Sequence, residues 1–277
     1  MARSDSGRYA LTIYSLLFYA FLYAPIILVV GYSFNANPVN MMIWDGFTLD
    51  WYRSIFGMSN QLSESALYVE STSQLYAAVR TSLTAALSAS AISTVFGTCI
   101  ALAVSRYRFR FRGLYRGLMF MPMMMPDIVL GIALLIFFVS AGIHLSVQTI
   151  IIGHCTFLTS YVFIVVSARL ADMDESLEEA SADLGANGWD TFRRVTLPLI
   201  LPGVVGGGVL AFIISMDDLV ITYFIAGVNS TTLPVFIYGM LRRGIKPEIN
   251  AIATMMLLFS VLVASVGLYL RARRKLR

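Results

Sequence analysis

The chain has 277 residues, of which 58% are hydrophobic and only 13% charged, against roughly 25% charged in a soluble globular domain. With a mean hydropathy of +0.75, this composition excludes a soluble enzyme or nucleic-acid-binding module and predicts an integral membrane protein. The formal charge of +4 is no footprint of nucleic acid, because the positive residues gather beside apolar segments, as membrane topology alone requires.

Cys99 and Cys155 sit within apolar runs and read as small buried hydrophobes with no disulfide framework. His144 and His154 form no ligand cluster, so no metal site is expected.

The first apolar run, about 9–32, follows Arg3 and Arg8. It has the length of a bilayer crossing, exceeds a signal-peptide core and lacks a persuasive cleavage site. A polar segment, 35–74, carries Asp45, Asp50, Arg53, Glu64 and Glu70, with Trp44, Trp51 and Tyr52 where an aromatic belt would lie. The second span, about 75–104, is rich in Ala, Ser and Thr, which let helices approach closely. Five arginines follow in RYRFRFRGLYRG. The third span, about 118–141, is interrupted by MPMMMPD, and a short connection leads to the fourth, about 147–168. A polar loop, 171–198, precedes a fifth span at about 199–216 and a sixth at about 249–270 that ends in RARRKLR.

Six spans with Arg-rich segments at the amino end, at 106–116 and at the carboxyl tail place both termini in the cytoplasm. Segment 35–74 is then external. The 171–198 loop is cytoplasmic, since the rule counts Lys and Arg, and Arg169, Arg193 and Arg194 flank or enter it.

Within that loop, Asp174 or Ser176 can cap a helix starting near Leu177, with Glu178 and Glu179 in its first turn. Gly185 ends or bends it, Asn187-Gly188 continues the turn, and a second short helix, about Trp189 to Val195, is stopped by Pro198. The expected form is a helical elbow; an ordinary solvated amphipathic loop is the plainer alternative.

The series Glu179-Ala180-Ser181, three residues, Gly185, nine residues, Val195, one residue, Leu197-Pro198 resembles the EAA signature of ABC importer permeases. The family pattern has Ala at position 181 and Ile at position 195. The resemblance implies an all-α membrane protein with the type I ABC importer permease fold, one permease domain over 1–277 and a cytoplasmic coupling loop. It also implies that Glu178, Glu179, Ala180, Ser181, Gly185, Leu197 and Pro198 couple the chain to a cytoplasmic ATPase. Glu179 as a surface charge that merely stabilises its own helix, and Gly185 as a turn with no partner, remain compatible with these residues.

Three carboxylates, Asp127, Asp217 and Asp218, fall within or beside spans, where ionised groups usually face a cavity or a partner. Asp127 lies about eleven residues beyond Arg116, which at roughly 1.5 Å per residue of straight helix predicts a position near mid-membrane. Pro122 and Pro126 loosen that helix. Carboxylates and free carbonyls suit a cation, and Tyr161, Tyr223 and Phe224 could add cation–π attraction. Asp127 as a cap of the restarted helix, and Asp217 or Asp218 paired with Arg80, Arg242 or Arg243, stay open. Met121 and Met123 to Met125 read as adaptable packing.

MPDIVLGIALLIFF, SMDDLVITYFIAG, STTLPVFIYGMLRRG and KPEINAIAT look like segments of the second permease subunit of bacterial spermidine/putrescine importers. The resemblance implies a multi-pass inner-membrane subunit with several partners. These are a second homologous permease forming a heterodimer, two ATPase subunits and a periplasmic binding protein delivering a small cationic amine. Another amine or 4-aminobutyrate is the alternative cargo. The chain has no GxxxxGK[ST] phosphate loop, so it is read as a non-enzyme, with ATP and magnesium on the partner. A membrane enzyme would be expected to show a GxGD-like or HExxH pattern. An ion-coupled secondary transporter should show matched broken helices, and only one Pro-broken span is visible.

Overall fold

The computed structural model describes residues 5–37, 43–56, 58, 67–174, 176–242 and 250–258. They fall into two compact units, Met1–Gln74 with Ile237–Arg277, and Leu75–Phe236.

In the first unit, α1 (Asp5–Tyr32) carries an apolar stretch of crossing length, Leu11–Tyr32, with none of its most apolar part buried. The chain then folds back on itself around one side chain. Asn35 Oδ1 accepts from the amides of Asn37 and Asp45, its Nδ2 donates to the Ile43 carbonyl, and Asn35 pairs with Phe47 in a single antiparallel bridge. Trp51, on α2 (Asp50–Ile55), is 1% exposed and donates its indole N–H to the Asn35 carbonyl at 2.7 Å. Trp51 is therefore a core residue and not a member of an aromatic belt, because a buried indole must find an acceptor and the Asn35 turn supplies one. Trp44 remains half exposed. Glu64 lies outside the described residues, as does the side chain of Glu70.

The second unit begins within α3 (Leu67–Arg106), whose apolar part runs from Ser73. Then follow α4 (Arg112–Met124), α5 (Asp127–Ser140), α6 (Val147–Ala171), the polar loop, α9 (Leu197–Asp217) and α10 (Val220–Ile225). The loop holds α7 (Ser176–Asp183) and α8 (Gly188–Thr191). The last described helix with named ends, α11 (Leu233–Arg242), runs across the boundary between the units.

The third span is not a straight helix. α4 and α5 meet at 104°. The cause is local: Met125 precedes a proline and takes ψ 138°, Pro126 takes ψ 133°, and two extended residues in series turn the chain. Neither half, at 13 and 14 residues, reaches the roughly 30 Å of hydrocarbon alone. Counting rise from Arg116 therefore does not place Asp127 at mid-membrane, since the count assumes a helix that the prolines break.

Four helical stretches are long and apolar enough to cross a membrane, or five with the bent pair as one span, among the described residues. The sixth expected span, 249–270, is described only over 250–258, which is helical.

The second unit packs around α6. Over half of its apolar stretch is buried, 56% against 39% for α3 and 17% for the stretch containing α9. Ser146 and Thr149 close its start as a capping box, and Thr149 also donates to the Ile225 carbonyl of α10. Ile150, Leu158, Val162, Phe163 and Val166 of α6 form the core with Ala85, Ala89 and Ala101 of α3, Ile200 and Ala211 of α9, and Ile221 of α10. A crossing helix is apolar all round, since the faces not buried in protein meet hydrocarbon, and α6 accordingly shows no amphipathic stripe. Cys155 is half-buried on it, whereas Cys99 of α3 is exposed and not the buried residue expected.

Small residues set the spacing. A Cβ on Gly97 of α3 would stand 2.7 Å from Val162 Cβ and 2.9 Å from the Thr159 carbonyl oxygen. Gly97→Leu should therefore destabilise the bundle by about 1–3 kcal/mol. Gly206→Leu, at a site with nothing within 4 Å, should not. Thermal unfolding of the two purified variants measures the difference, and equal midpoints would refute the close-packing account.

Candidate functional site

The polar loop forms the elbow, with one difference. The Asp174 carboxylate accepts from the Ser176 amide at 2.9 Å and so caps α7. That bond holds its pKa below the usual carboxylate range; the cap is thus in place at neutral pH and is lost only as acid takes pH down through the lowered value. α7 ends in a Schellman turn: Ala186 N–H bonds the Ser181 carbonyl, Gly185 N–H bonds the Ala182 carbonyl, and Gly185 takes φ +82°. Asn187 then caps α8 through the Asp190 amide.

The second arm is not stopped by Pro198. It widens into one π-helical turn, Phe192–Thr196, and runs directly into α9. The Leu197 amide reaches the Phe192 carbonyl, and Pro198 follows directly, where the wider turn has already displaced the regular ladder that its missing N–H would have joined. One helical stretch, Gly188–Asp217, thus joins the elbow to a crossing span.

The residues expected to couple the chain to an ATPase divide between the inside and the outside of the elbow. Glu178 turns inward: its Oε2 lies 2.9 Å from Arg106 Nε at the end of α3, and its Oε1 accepts from the Thr196 hydroxyl at 2.6 Å. Ser181 bonds Thr191 across the two arms at 3.0 Å, and Leu197 is half-buried. Glu179, Ala180, Gly185 and Pro198 are exposed, beside an outward Leu184 (90% exposed) and Trp189 (67%).

The second site is a cavity of about 320 Å³ where the α4–α5 break faces α9 and α10. Asp127, Asp217, Asp218 and Tyr161 all line it. Tyr223 and Phe224 are not among its lining residues; Phe224 packs against Gly131 of α5, and Tyr223 makes an edge contact with Phe224. Asp127 is the first residue of α5, makes no capping bond and is exposed.

Asp217 and Asp218 are neighbours with different surroundings. Asp217 is exposed. Asp218, with a side chain only 8% exposed, accepts from the Thr222 amide (2.8 Å), the Thr222 hydroxyl (2.6 Å) and the Ile221 amide (3.4 Å), and faces His154 Nε2 at 3.3 Å. His154 is fully buried on α6; its Nε2 also lies 2.9 Å from Thr222 Oγ1 and its Nδ1 2.7 Å from Ser215 Oγ. With the proton on Nε2, the Ser215 hydroxyl donates to Nδ1 and every polar group in the cluster is satisfied. The partner of Asp218 is therefore neither Arg80, which is exposed, nor Arg242, which lies over the Tyr238 ring at 5.1 Å; Arg243 lies outside the described residues. His154, Ser215, Thr222 and Arg106 were missed as site residues from sequence. The available signal was an ionisable residue in the middle of an apolar span, which His154 is.

A helical membrane bundle with a capped, partly outward elbow feeding a crossing helix has the architecture of an ABC transporter permease. It is similar in fold to a bacterial ABC transporter involved in the import of the acidic polysaccharide alginate, with a TM-score of 0.71 and 16% identity, covering 97% of this chain and 98% of that one. The chain belongs to the family described as binding-protein-dependent transport system inner membrane component, whose pattern matches residues 93–276. It is 39% identical over 265 residues to the putrescine transport system permease protein PotI of Escherichia coli (strain K12), covering 93% of this chain and 89% of that protein. It is 38% identical over 257 residues to the spermidine/putrescine transport system permease protein PotC of the same strain, covering 93% and 91%. Family membership sets aside the membrane-enzyme and ion-coupled alternatives.

Two outcomes test the geometry. Glu178→Ala should loosen the elbow without unfolding the bundle, read as faster amide exchange over 176–196 and unchanged exchange in α6; no change in the elbow would refute the Arg106–Glu178–Thr196 tie. His154→Ala should lower stability by about 1–3 kcal/mol, because it leaves buried polar groups unpaired, with His154→Gln intermediate. Unchanged midpoints in both would show that the buried network contributes nothing.

Proposed function

We propose that this chain is a translocation-pathway permease of an ATP-driven, binding-protein-dependent importer for polyamines of the spermidine/putrescine class. The observation that carries the reading is the level of identity, 39% and 38% over 93% of the chain, to permeases named for putrescine and spermidine/putrescine transport. The acidic cavity is consistent with it, since a flexible polycation needs carboxylates along its path and no high positive charge.

On this reading Asp127 and Asp217 are the carboxylates that face the passing amine, with Tyr161 beside them, while Asp218 is held by the protein. Tyr223 and Phe224 act through packing. The chain pairs with a second, homologous permease, and two ATPase subunits bind ATP and magnesium. Both termini and the elbow lie in the cytoplasm, and a periplasmic binding protein delivers the substrate. The exposed face of the elbow, with Glu179, Ala180 and Gly185, meets the ATPase. Glu178, Ser181, Leu197 and Pro198 transmit its displacement inward, because Glu178 bonds α3 and the second arm continues into α9.

Uptake of labelled putrescine, spermidine and 4-aminobutyrate into proteoliposomes holding the complete importer tests the assignment. Uptake should require the ATPase subunits and should favour the two polyamines; preference for 4-aminobutyrate would reject the substrate class. Asp217→Asn should reduce polyamine uptake with little loss of stability, by about tenfold if one charge–charge contact worth roughly 1.4 kcal/mol is removed. Glu179→Lys should abolish ATP-driven uptake while the protein still inserts, and normal rates in that variant would remove Glu179 from the coupling surface.

A further inference from the structure

A second cavity of about 570 Å³ lies between the end of α3, the start of α4 and the last turns of α6. Its rim is strongly basic. Arg106, Arg112 and Arg116 line it, and no carboxylate is among the lining residues. One nearby carboxylate, Glu178, is bound by Arg106. Arg112 donates from Nη2 to the Ser105 carbonyl at 3.4 Å, but its Nε is buried with no hydrogen-bond partner among the described residues, as is Ser167 Oγ on the same wall. Arg116 is exposed. Three guanidinium groups therefore face one carboxylate, and two buried polar atoms await an acceptor or donor.

The inner wall is apolar. Phe120 and Phe163 close it, and their rings meet edge to face at 6.4 Å. Phe163 lies about 10 Å deeper along α6 than Leu170 at the rim. A cavity that is cationic where helices end and apolar one to two turns further in matches a molecule with an anionic head and a hydrocarbon tail. The end of a crossing helix is also the depth at which a lipid phosphate resides. An amine substrate would be repelled by the three arginines.

We propose that this cavity is a binding site for an anionic phospholipid, with the headgroup phosphate held by Arg112 and Arg116 and the tail lying along Phe120 and Phe163. Basic pockets between crossing helices hold acidic headgroups in this way. The site goes beyond the transport reading and does not depend on which substrate is carried. It gives Arg112 and Arg116 a role that the elbow does not use.

The experiment uses the importer purified with its partner subunits. Native mass spectrometry should find a phosphatidylglycerol-class lipid retained on this chain. Arg112→Gln with Arg116→Gln should lower retention by about 30-fold, as two phosphate-facing cations are lost. Arg108→Gln with Arg110→Gln makes the same charge change in the same loop but off the cavity, and should leave retention intact. Equal losses in the two pairs would mean unspecific attraction to a basic loop, and no retained lipid on the native chain would also overturn the proposal. So would loss of the ATPase subunits, with lipid unchanged, in the Arg112/Arg116 pair, which would assign the cavity to a protein partner. A second arm needs no variant: the unfolding temperature in phosphatidylcholine nanodiscs should rise when phosphatidylglycerol is included. If millimolar inorganic phosphate in phosphatidylcholine alone produces the same rise, the site takes a free anion and the lipid assignment fails.

Discussion

A carboxylate between crossing helices has to be given partners by the protein, and Asp218 is given four: two amides, a hydroxyl and an imidazole. That requirement shapes the region around the cavity. α9 must end at Asp217 for the Asp218 carboxylate to turn back onto the first amides of α10. α6 must present His154 at that level, and Ser215 must be one turn earlier on α9 to satisfy the other ring nitrogen. With three helices pinned by one cluster, the α4–α5 break is left as the open wall, and Asp127 and Asp217 face the space beside it.

The same logic operates at the other end of α6. Glu178 leaves its own helix to meet Arg106, and Thr196 joins them from the π-helical turn. The elbow is thereby bonded to α3 and continuous with α9. A push on its outer face has two routes into the bundle, one through an ion pair and one through an unbroken helix. The ion pair is partly solvent-exposed, so its energetic share is modest and screened; its service is to fix direction. On the proposed reading, the helix carries the displacement. A Pro198 that ended the second arm, as its position in sequence implies, would have left only the weaker route.

What the sequence revealed followed distance along the chain. The cap at Asp174, the Gly185 turn and the proline break at 125–126 are set by residues within a few positions of each other, and all were legible; the Asn187 cap on α8 is just as local but was read only as a continued turn. The apolar runs at about 9–32, 75–104 and 147–168 each fall on a helix long and apolar enough to cross a membrane. The partners of Asp218 and Glu178 lie 64 and 72 positions away, at His154 and Arg106, and no local pattern connects them. Asp127 illustrates an intermediate case. The break beside it was expected, yet its size was not, and a 104° turn invalidates any depth counted along a straight axis. Trp51 failed for a related reason: a tryptophan near a membrane segment reads as a belt residue until the Asn35 carbonyl that receives its N–H is seen.

On the proposed reading of the cavity as a substrate pathway, the unequal treatment of Asp217 and Asp218 bears on how it works. A site that carries a cation through a membrane has to attract it enough for entry and release it afterwards. At about 4 Å a charge pair is worth roughly 1 kcal/mol in water and roughly 4 kcal/mol at the dielectric of a protein surface. Asp218, already saturated by hydrogen bonds, adds negative potential without offering a direct ligand. Asp127 and Asp217 are exposed in an open cavity, where water remains available to compete for the amine. Weak, replaceable contacts of this kind favour passage over retention, so on the proposed reading the tight binding belongs to the delivering protein and the membrane cavity supplies only the bias of sign.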